Sequence, residues 1–245
     1  MVFIDVDLCL FDLDGTLVST TTAAESAWKV LCAKHHVDPQ ELFKHSHGSR
    51  TAEIIERFFP NIDSKDPNVI MELELSIGKD YLDTVKLIAG AKELLLSLNQ
   101  GSTENPANTD NRPWAIVTSG SPYLAFSWFD NILKEVGKPS IFITAFDVKH
   151  GKPDPEGYTE ARNQLSAVLN LDSRKARAVV FEDAPVGIEA GNKIGAITVG
   201  LTSSYPKERL FEAGADYVVE DLTHVKVIEK SPRGIKLEIS KPLSR

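Results

Sequence analysis

The sequence predicts an α/β protein: a doubly wound, mostly parallel sheet with an all-helical segment inserted after its first strand. Three observations carry the prediction. Short apolar runs recur along the chain without strict alternation, as strands buried on both faces require. Single helical stretches separate them, the βα alternation of a parallel sheet with right-handed crossovers. Between residues 20 and 85 that alternation is missing, and apolar residues keep a helical spacing instead.

The first run covers residues 6–13, with Val6, Leu8, Cys9, Leu10, Phe11 and Leu13, and it ends at the turn Asp14-Gly15. From Thr20 to about Val85 the reading is helical. Ala23, Ala27, Val30 and Leu31 share a face, and further helices are expected over 50–59 and 67–83. The chain thus divides into a core, residues 1–19 and 86–245, and a helical unit, residues 20–85. Residues 90–98 read as a helix, and Asn99 to Pro113, polar and without apolar period, as a surface loop. Trp114-Ala115-Ile116-Val117 is a strand closing on Thr118-Ser119-Gly120, and the next helix carries Tyr123, Phe126 and Trp128 to pack on the sheet. A strand at 141–144, a loop at 149–155, a helix to about Leu169 and the strand Ala178-Val179-Val180-Phe181 follow. After Glu182-Asp183 come a helix, a strand at 196–200, a helix at 206–213 and a strand at 217–219. Val225 to Glu229 and Ile235 to Ile239 flank Ser231-Pro232-Arg233-Gly234 as a β-hairpin appended to the sheet.

Composition sets outer limits. The 245 residues suffice for a core domain with a smaller insert. With 42% apolar and 25% charged residues, the chain has no fibrous, disordered or membrane-spanning character. Asp and Glu number 35 against 27 Lys and Arg, a net charge of −8, which offers no basic footprint for nucleic acid. A small anion can still bind where a local cluster of Lys, backbone N–H groups or a metal overrides that field. Cys9 and Cys32 lack CxxC spacing and suit a reducing compartment. Residues 1–7 have no basic stretch, and aspartates break their apolar run, so no signal peptide is expected. The expectation is a cytoplasmic monomer with neither nucleic-acid nor membrane partner.

In open α/β sheets, ligands bind beyond the carboxyl ends of the strands, so the residues directly after each run are the candidates. These are Asp12 and Asp14, then Thr118, Ser119 and Gly120, then Glu182 and Asp183, with Lys152 on a loop between Gly151 and Pro153. Asp12 and Asp14 point the same way if the strand persists, and two such carboxylates need a divalent cation, a cationic neighbour or a shared proton. Mg2+ suits an oxygen-only, partly hydrated ligand set. The inventory fits phosphoryl transfer through an aspartyl-phosphate. Asp12 attacks phosphorus; Asp14 protonates the leaving alkoxide and later takes a proton from water. The Thr118 hydroxyl and the Ser119 N–H, beside Gly120, hold phosphoryl oxygens, and Lys152 adds fixed positive charge. Asp12, the backbone carbonyl of Asp14 and Asp183 hold Mg2+, with Glu182 ligating directly or through water. Plainer readings stand beside these: Asp14-Gly15 as a turn, Thr118 or Ser119 as an N-cap, Lys152 as a solvated lysine, Glu182 aimed at a helix terminus.

Asp12-Leu13-Asp14-Gly15-Thr16, Thr118-Ser119-Gly120, Lys152-Pro153-Asp154-Pro155 and Glu182-Asp183-Ala184 occur in one order, and together they resemble the four motifs of the haloacid dehalogenase superfamily. The resemblance spans about residues 6–220 and implies a Rossmann-like core whose helical insert is a cap. A closer likeness runs to the fungal 2-deoxyglucose-6-phosphate phosphatases, through residues 7–16, Phe43-Lys44-His45-Ser46-His47-Gly48 and residues 118–128. Glycerol-phosphate phosphatases are similar more distantly. Ala89 stands before Gly90 where many relatives place proline, which touches the cap hinge and not the chemistry.

The resemblance implies a Mg2+-dependent phosphomonoesterase acting on a small sugar or polyol phosphate, with a deoxyhexose 6-phosphate expected. His47, Gly48 and Arg50 of the cap are expected at the substrate's polar end, because a closing cap must supply donors. A solvated helix start is the alternative. Asp14 decides against dehalogenation, since a halide leaves without a proton and an alkoxide does not. A sugar phosphomutase of the same fold keeps both aspartates and stays open. A non-catalytic phosphosugar-binding regulator is disfavoured, because Asp12, Asp14, Lys152 and Asp183 are all present.

Overall fold

The computed structural model describes residues 1–100, 111–231 and 233–245. Most of the loop expected over 99–113, and Pro232 of the expected hairpin turn, lie outside the described residues. The chain opens with β1 (Val2–Val6) and β2 (Leu8–Phe11), separated at Asp7. The Arg177 guanidinium holds that aspartate through two hydrogen bonds of 2.7 and 3.1 Å. The strand expected over 6–13 is β2, and β1 before it was not expected: β1 alternates, with Ile4 and Val6 inward and Phe3 and Asp5 outward, whereas all of β2 is buried.

β3 (Val18–Ser19) and β4 (Lys86–Leu87) pair antiparallel and form the stem through which the chain enters and leaves the helical insert. The insert holds α1 (Thr21–His35), α2 (Pro39–Ser46), α3 (Thr51–Phe58) and α4 (Pro67–Asp80). Two Asp-Pro pairs start helices here: Asp38 and Asp66 accept from the N–H two residues on, at 2.9 Å each, with proline at the first helical position. Trp28, Cys32, Leu42, Ile54, Ile55 and Phe59 form the insert's own apolar cluster. Val30, expected on the buried face of the first helix, is 62% exposed, and Trp28 takes that place. α2 is a helix that the apolar spacing did not single out, and α4 stops short of the expected residue 83.

After α5 (Ala91–Asn99) the alternation runs as expected: β5 (Trp114–Val117), α6 (Pro122–Asp130), β6 (Phe142–Ile143), α7 (Glu156–Val168), β7 (Ala178–Glu182), α8 (Pro185–Lys193), β8 (Ile197–Leu201), α9 (Lys207–Glu212) and β9 (Tyr217–Val219). Six parallel strands lie in the order β6-β5-β2-β7-β8-β9. Counted along the chain, that is the 3-2-1-4-5-6 order of the Rossmann fold, whose direction reverses on either side of its first strand, here β2. β10 (Val225–Ser231) and β11 (Gly234–Ile239) do form a hairpin, but it is not appended to this sheet. β11 pairs antiparallel with β1, giving a separate three-stranded sheet.

Strand periodicity divides the core into two layers. Cys9, Phe11, Trp114, Ile116, Val179 and Phe181 face α5, α6 and the small sheet, whereas Leu8, Leu10, Ala115, Val117 and Val180 face Tyr158, Ala161 and Leu165 of α7. Of the three aromatic residues expected to pack from α6, Trp128 is buried and Phe126 meets Phe142 edge-on, while Tyr123 is 39% exposed. No helix among the described residues is long and apolar enough to cross a membrane. Phe11 stacks on Phe181 with centroids 4.7 Å apart, immediately beneath the carboxyl ends of β2 and β7. Phe181→Ala removes a fully buried ring from that stack and is expected to cost about 3–5 kcal/mol, read as a lowered urea midpoint with an unchanged m-value.

Candidate active site

The reversal of strand order opens a crevice at the carboxyl end of β2, and the expected residues converge there. Asp12 and Asp14 follow β2, Thr118 follows β5, and Glu182 and Asp183 end β7. Beyond Asp12 the chain coils into a tight turn in which the Leu13 carbonyl accepts from the N–H groups of Leu17 and Val18, at 2.9 and 3.0 Å. Gly15 sits in that turn at φ +94°, where a Cβ would lie 2.0 Å from Asp183 Oδ2. Only glycine allows both the backbone conformation and the approach of the two motifs.

Lys152 is the hub of the site. Its buried ammonium donates to Asp12 Oδ1 at 2.6 Å, Glu182 Oε1 at 2.7 Å and the Val117 carbonyl at 3.0 Å, which uses all three of its protons. Burial alone would lower the lysine pKa, but the two carboxylates outweigh it and hold the group firmly protonated. Glu182 is fully buried, and burial pushes its pKa up against the pull of Lys152. Its Oε1 also accepts from the Tyr158 hydroxyl at 2.8 Å, and its Oε2 from the N–H groups of Asp183 and Ala184 at 3.2 and 3.3 Å. Both oxygens are therefore engaged by protein donors. These bonds turn Glu182 towards Lys152, while its carboxylate also stands in one cluster with those of Asp12 and Asp183.

Asp12 Oδ2 is buried and has no partner. Asp12, Glu182 and Asp183 each offer a carboxylate oxygen, all within 4.8 Å of one another. Asp183, held by the Thr16 hydroxyl at 3.3 Å, has its pKa driven far up by burial and by Asp12. Carboxylates this crowded carry more negative charge than Lys152 alone balances, and the orphaned oxygen is a free ligand position for a hard cation.

Asp14 occupies a different environment. Trp128 Nε1–H donates to its Oδ1 at 3.1 Å and the Thr118 hydroxyl to its Oδ2 at 3.3 Å. Burial, with Asp12 adding to it, raises its pKa to about 7. A carboxyl poised there can both give and take a proton at neutral pH. Trp128 was read from sequence as packing alone; no sequence signal marks its indole N–H as a partner of Asp14.

Asp12, Asp14, Thr118, Ser119 and Gly120 open onto a cavity of about 90 Å³ that the helical insert covers with Thr20, Thr21, Trp28, Ser46, His47, Gly48 and Glu74. Ser119 Oγ donates to the Gly48 carbonyl at 2.7 Å, and Gly120 N–H donates to Thr118 Oγ1 at 2.9 Å. Gly48, at φ +82°, lies so close to the core that a Cβ would come within 2.6 Å of the Ala184 Cβ. His47 lines the cavity, with burial lowering its pKa and Glu25 opposite it at 3.4 Å. Arg50 is not brought to this cavity. Its guanidinium is taken by Glu53, at 2.6 and 2.8 Å, and by the Val148 carbonyl at 3.3 Å, so it ties the insert to the core. Glu74, which the sequence did not single out, is buried on α4 and accepts from the Ser121 N–H at 2.9 Å and hydroxyl at 2.5 Å, and from Thr51 at 2.7 Å.

Residues 6–195 match the profile of the haloacid dehalogenase-like hydrolases. The chain belongs to that family. It is 61% identical to 2-deoxyglucose-6-phosphate phosphatase 2 of Saccharomyces cerevisiae, over 98% of both chains. It is 36% identical to glycerol-1-phosphate phosphohydrolase 1 of the same yeast, over 96% of this chain and 90% of the other. Among solved structures it resembles a family IA hydrolase of the haloacid dehalogenase type from Entamoeba histolytica. The TM-score is 0.71 at 23% identity, over 90% and 95% of the two chains, a likeness that shows the shared fold.

In this haloacid dehalogenase-like hydrolase, Lys152→Met leaves Asp12 and Glu182 buried without their counter-ion. Unfolding measured in EDTA near pH 8 is expected to show a loss of about 3–5 kcal/mol. The pKa of Glu182 is raised above its ordinary 4.5, and losing Lys152 raises it further. Stability tied to a raised pKa is complete below the unfolded value and lost as pH rises through the folded one. The deficit of the variant is therefore expected to shrink on going down to about pH 5, where Glu182 keeps its proton.

Proposed function

We propose that this chain is a Mg2+-dependent phosphomonoesterase that hydrolyses a small sugar or polyol phosphate, with 2-deoxyglucose 6-phosphate the expected substrate. The observation that carries the reading is Asp14: a carboxyl with a pKa near 7, held beside Asp12 at the mouth of a covered cavity. A halide would need no such acid; a sugar alkoxide does. The substrate class rests on the yeast relatives named as 2-deoxyglucose-6-phosphate phosphatases, 61% identical over 98% of this chain. A cytoplasmic setting is consistent with two free, buried thiols, Cys9 and Cys32, and a monomer is the assembly we assign.

The donor set suits Mg2+, because the orphaned Asp12 Oδ2 stands beside Asp183 in an all-oxygen site. Asp12 Oδ2, an Asp183 carboxylate oxygen and the Asp14 backbone carbonyl would hold the ion, which supplies charge neutralisation and orients the phosphate. Asp12 then attacks phosphorus as the bond to the sugar oxygen breaks, and Asp14 gives its proton to that oxygen. In the second half, water attacks the aspartyl-phosphate, Asp14 takes the water's proton, and inorganic phosphate leaves with Asp12 restored. Thr118 and the Ser119 N–H hold the equatorial oxygens, and Lys152 aims Asp12. Residues 20–85 act as a cap that rides on the β3–β4 stem, excludes water and bulky substrates, and presents His47 to the sugar.

The purified protein with Mg2+ is expected to release phosphate from a panel of sugar and polyol monophosphates, and EDTA to abolish the release. Asp12→Asn should fold and show no turnover. Asp14→Asn should lower kcat/KM for alkyl phosphates by about 10²–10⁴-fold. An aryl phosphate, whose phenolate leaves without a proton, should suffer far less. Isomerisation of a sugar phosphate without net phosphate release would instead identify a mutase and overturn the reading.

A further inference from the structure

Ser46 ends α2 on the wall of the cavity, is 9% exposed, and its Oγ has no hydrogen-bond partner. Serines in or beside helices ordinarily turn back to the carbonyl four residues earlier, as Ser26, Ser49 and Ser97 do here at 2.8 Å each. Ser46 does not. Other polar groups of the insert around the cavity have their bonds: Thr21 with Ser204 at 3.1 Å, Thr51 with Glu74 at 2.7 Å, Ser49 with the His45 carbonyl, and His47 opposite Glu25. A buried hydroxyl left unpaired is costly; Ser166 within α7 is another, but Ser46 is the one that borders this cavity, where a bound molecule can complete it.

The chemistry of that missing partner is constrained. A hydroxyl both donates and accepts, which matches an alcohol better than a phosphoryl oxygen, which only accepts. In the phosphatase reading the phosphate donors stand on the core, at Thr118 and Ser119, whereas Ser46 belongs to the insert. The same cavity is walled by Ala24, Trp28, Ile77 and Leu124, which offer contact to C–H edges and no hydrogen bond. We propose that Ser46 is a specificity-determining residue whose hydroxyl pairs with an alcohol group of the sugar or polyol, while the apolar wall takes carbons that carry no hydroxyl. Resting on the phosphatase reading above, this names the part of the substrate that the cap selects.

Ser46→Ala tests it. Because the hydroxyl has no protein partner, the variant is expected to keep or slightly raise the Tm, which a structural hydrogen bond would not allow. Its kcat/KM for sugar and polyol phosphates should fall about 3- to 10-fold, carried by KM. p-Nitrophenyl phosphate, which has no aliphatic hydroxyl, should be turned over as by the wild type. Equal losses on both substrate types, a Tm lowered by several degrees, or no kinetic change at all would each overturn the assignment. If the wild type releases no phosphate from any substrate, the phosphatase reading fails by itself. Calorimetric titration of 2-deoxyglucose 6-phosphate then decides the Ser46 question: weaker binding to the variant supports it and equal binding overturns it.

Discussion

The buried ammonium of Lys152, bound at once to Asp12 Oδ1, Glu182 Oε1 and the Val117 carbonyl, ties the carboxyl ends of three adjacent parallel strands to the loop before α7. Each of these charges would be prohibitively placed alone. Together they are stable only at the observed separations, so the charge arrangement fixes how far β2, β5 and β7 splay at their ends. Tyr158 extends the constraint into the layer beneath, because its hydroxyl completes Glu182 while its ring packs among Leu10, Val180 and Leu165. The site is thereby continuous with the core on one side of the sheet, and on the other it stands on the Phe11–Phe181 stack.

What the triad leaves over defines the chemistry. Lys152 spends its protons on one oxygen of Asp12, so the second oxygen is the one group of that carboxylate still seeking a partner. Asp14 receives nothing from Lys152 and is held by neutral donors, an indole and a hydroxyl. Burial, with Asp12 adding to it, raises the pKa of Asp14 to about 7, and the neutral donors offset that only in part. Two aspartates separated by one residue thus stand in different settings, one bound to an ammonium and the other, buried, held by neutral donors.

Much of this was legible in the sequence because it is local. β5 and β9 have the expected bounds, and Asp12, Asp14, Thr118, Lys152 and Asp183 meet where strand-end placement put them. The misses are long-range. β1 was missed, although Val2, Ile4 and Val6 alternate with Phe3 and Asp5, because its partner β11 lies more than 200 residues away and no local feature names it. Glu182 was read as a ligand, direct or through water; its bonds to Tyr158 and Lys152, partners distant in sequence, had no local signal. Arg50 was read by charge; its bond to the Glu53 carboxylate one turn along the helix was not foreseen. Trp128 and Glu74 carry a polar contact on residues whose spacing is that of packing.

Glu74 shows how the insert and the core act on one another. Its carboxylate satisfies Ser121, the N-cap of α6, and α6 in turn carries Trp128, whose N–H holds Asp14. A buried carboxylate that left Ser121 would need new donors, and burial already raises its pKa. Separation of the insert from the core therefore costs Glu74 its bonds to Ser121, leaves the N-cap of the helix that carries Trp128 without its acceptor, and breaks the Ser119–Gly48 contact. The covered state and the ordered state of the catalytic groups are coupled through these few bonds. Asp14 is best held when the insert lies over it.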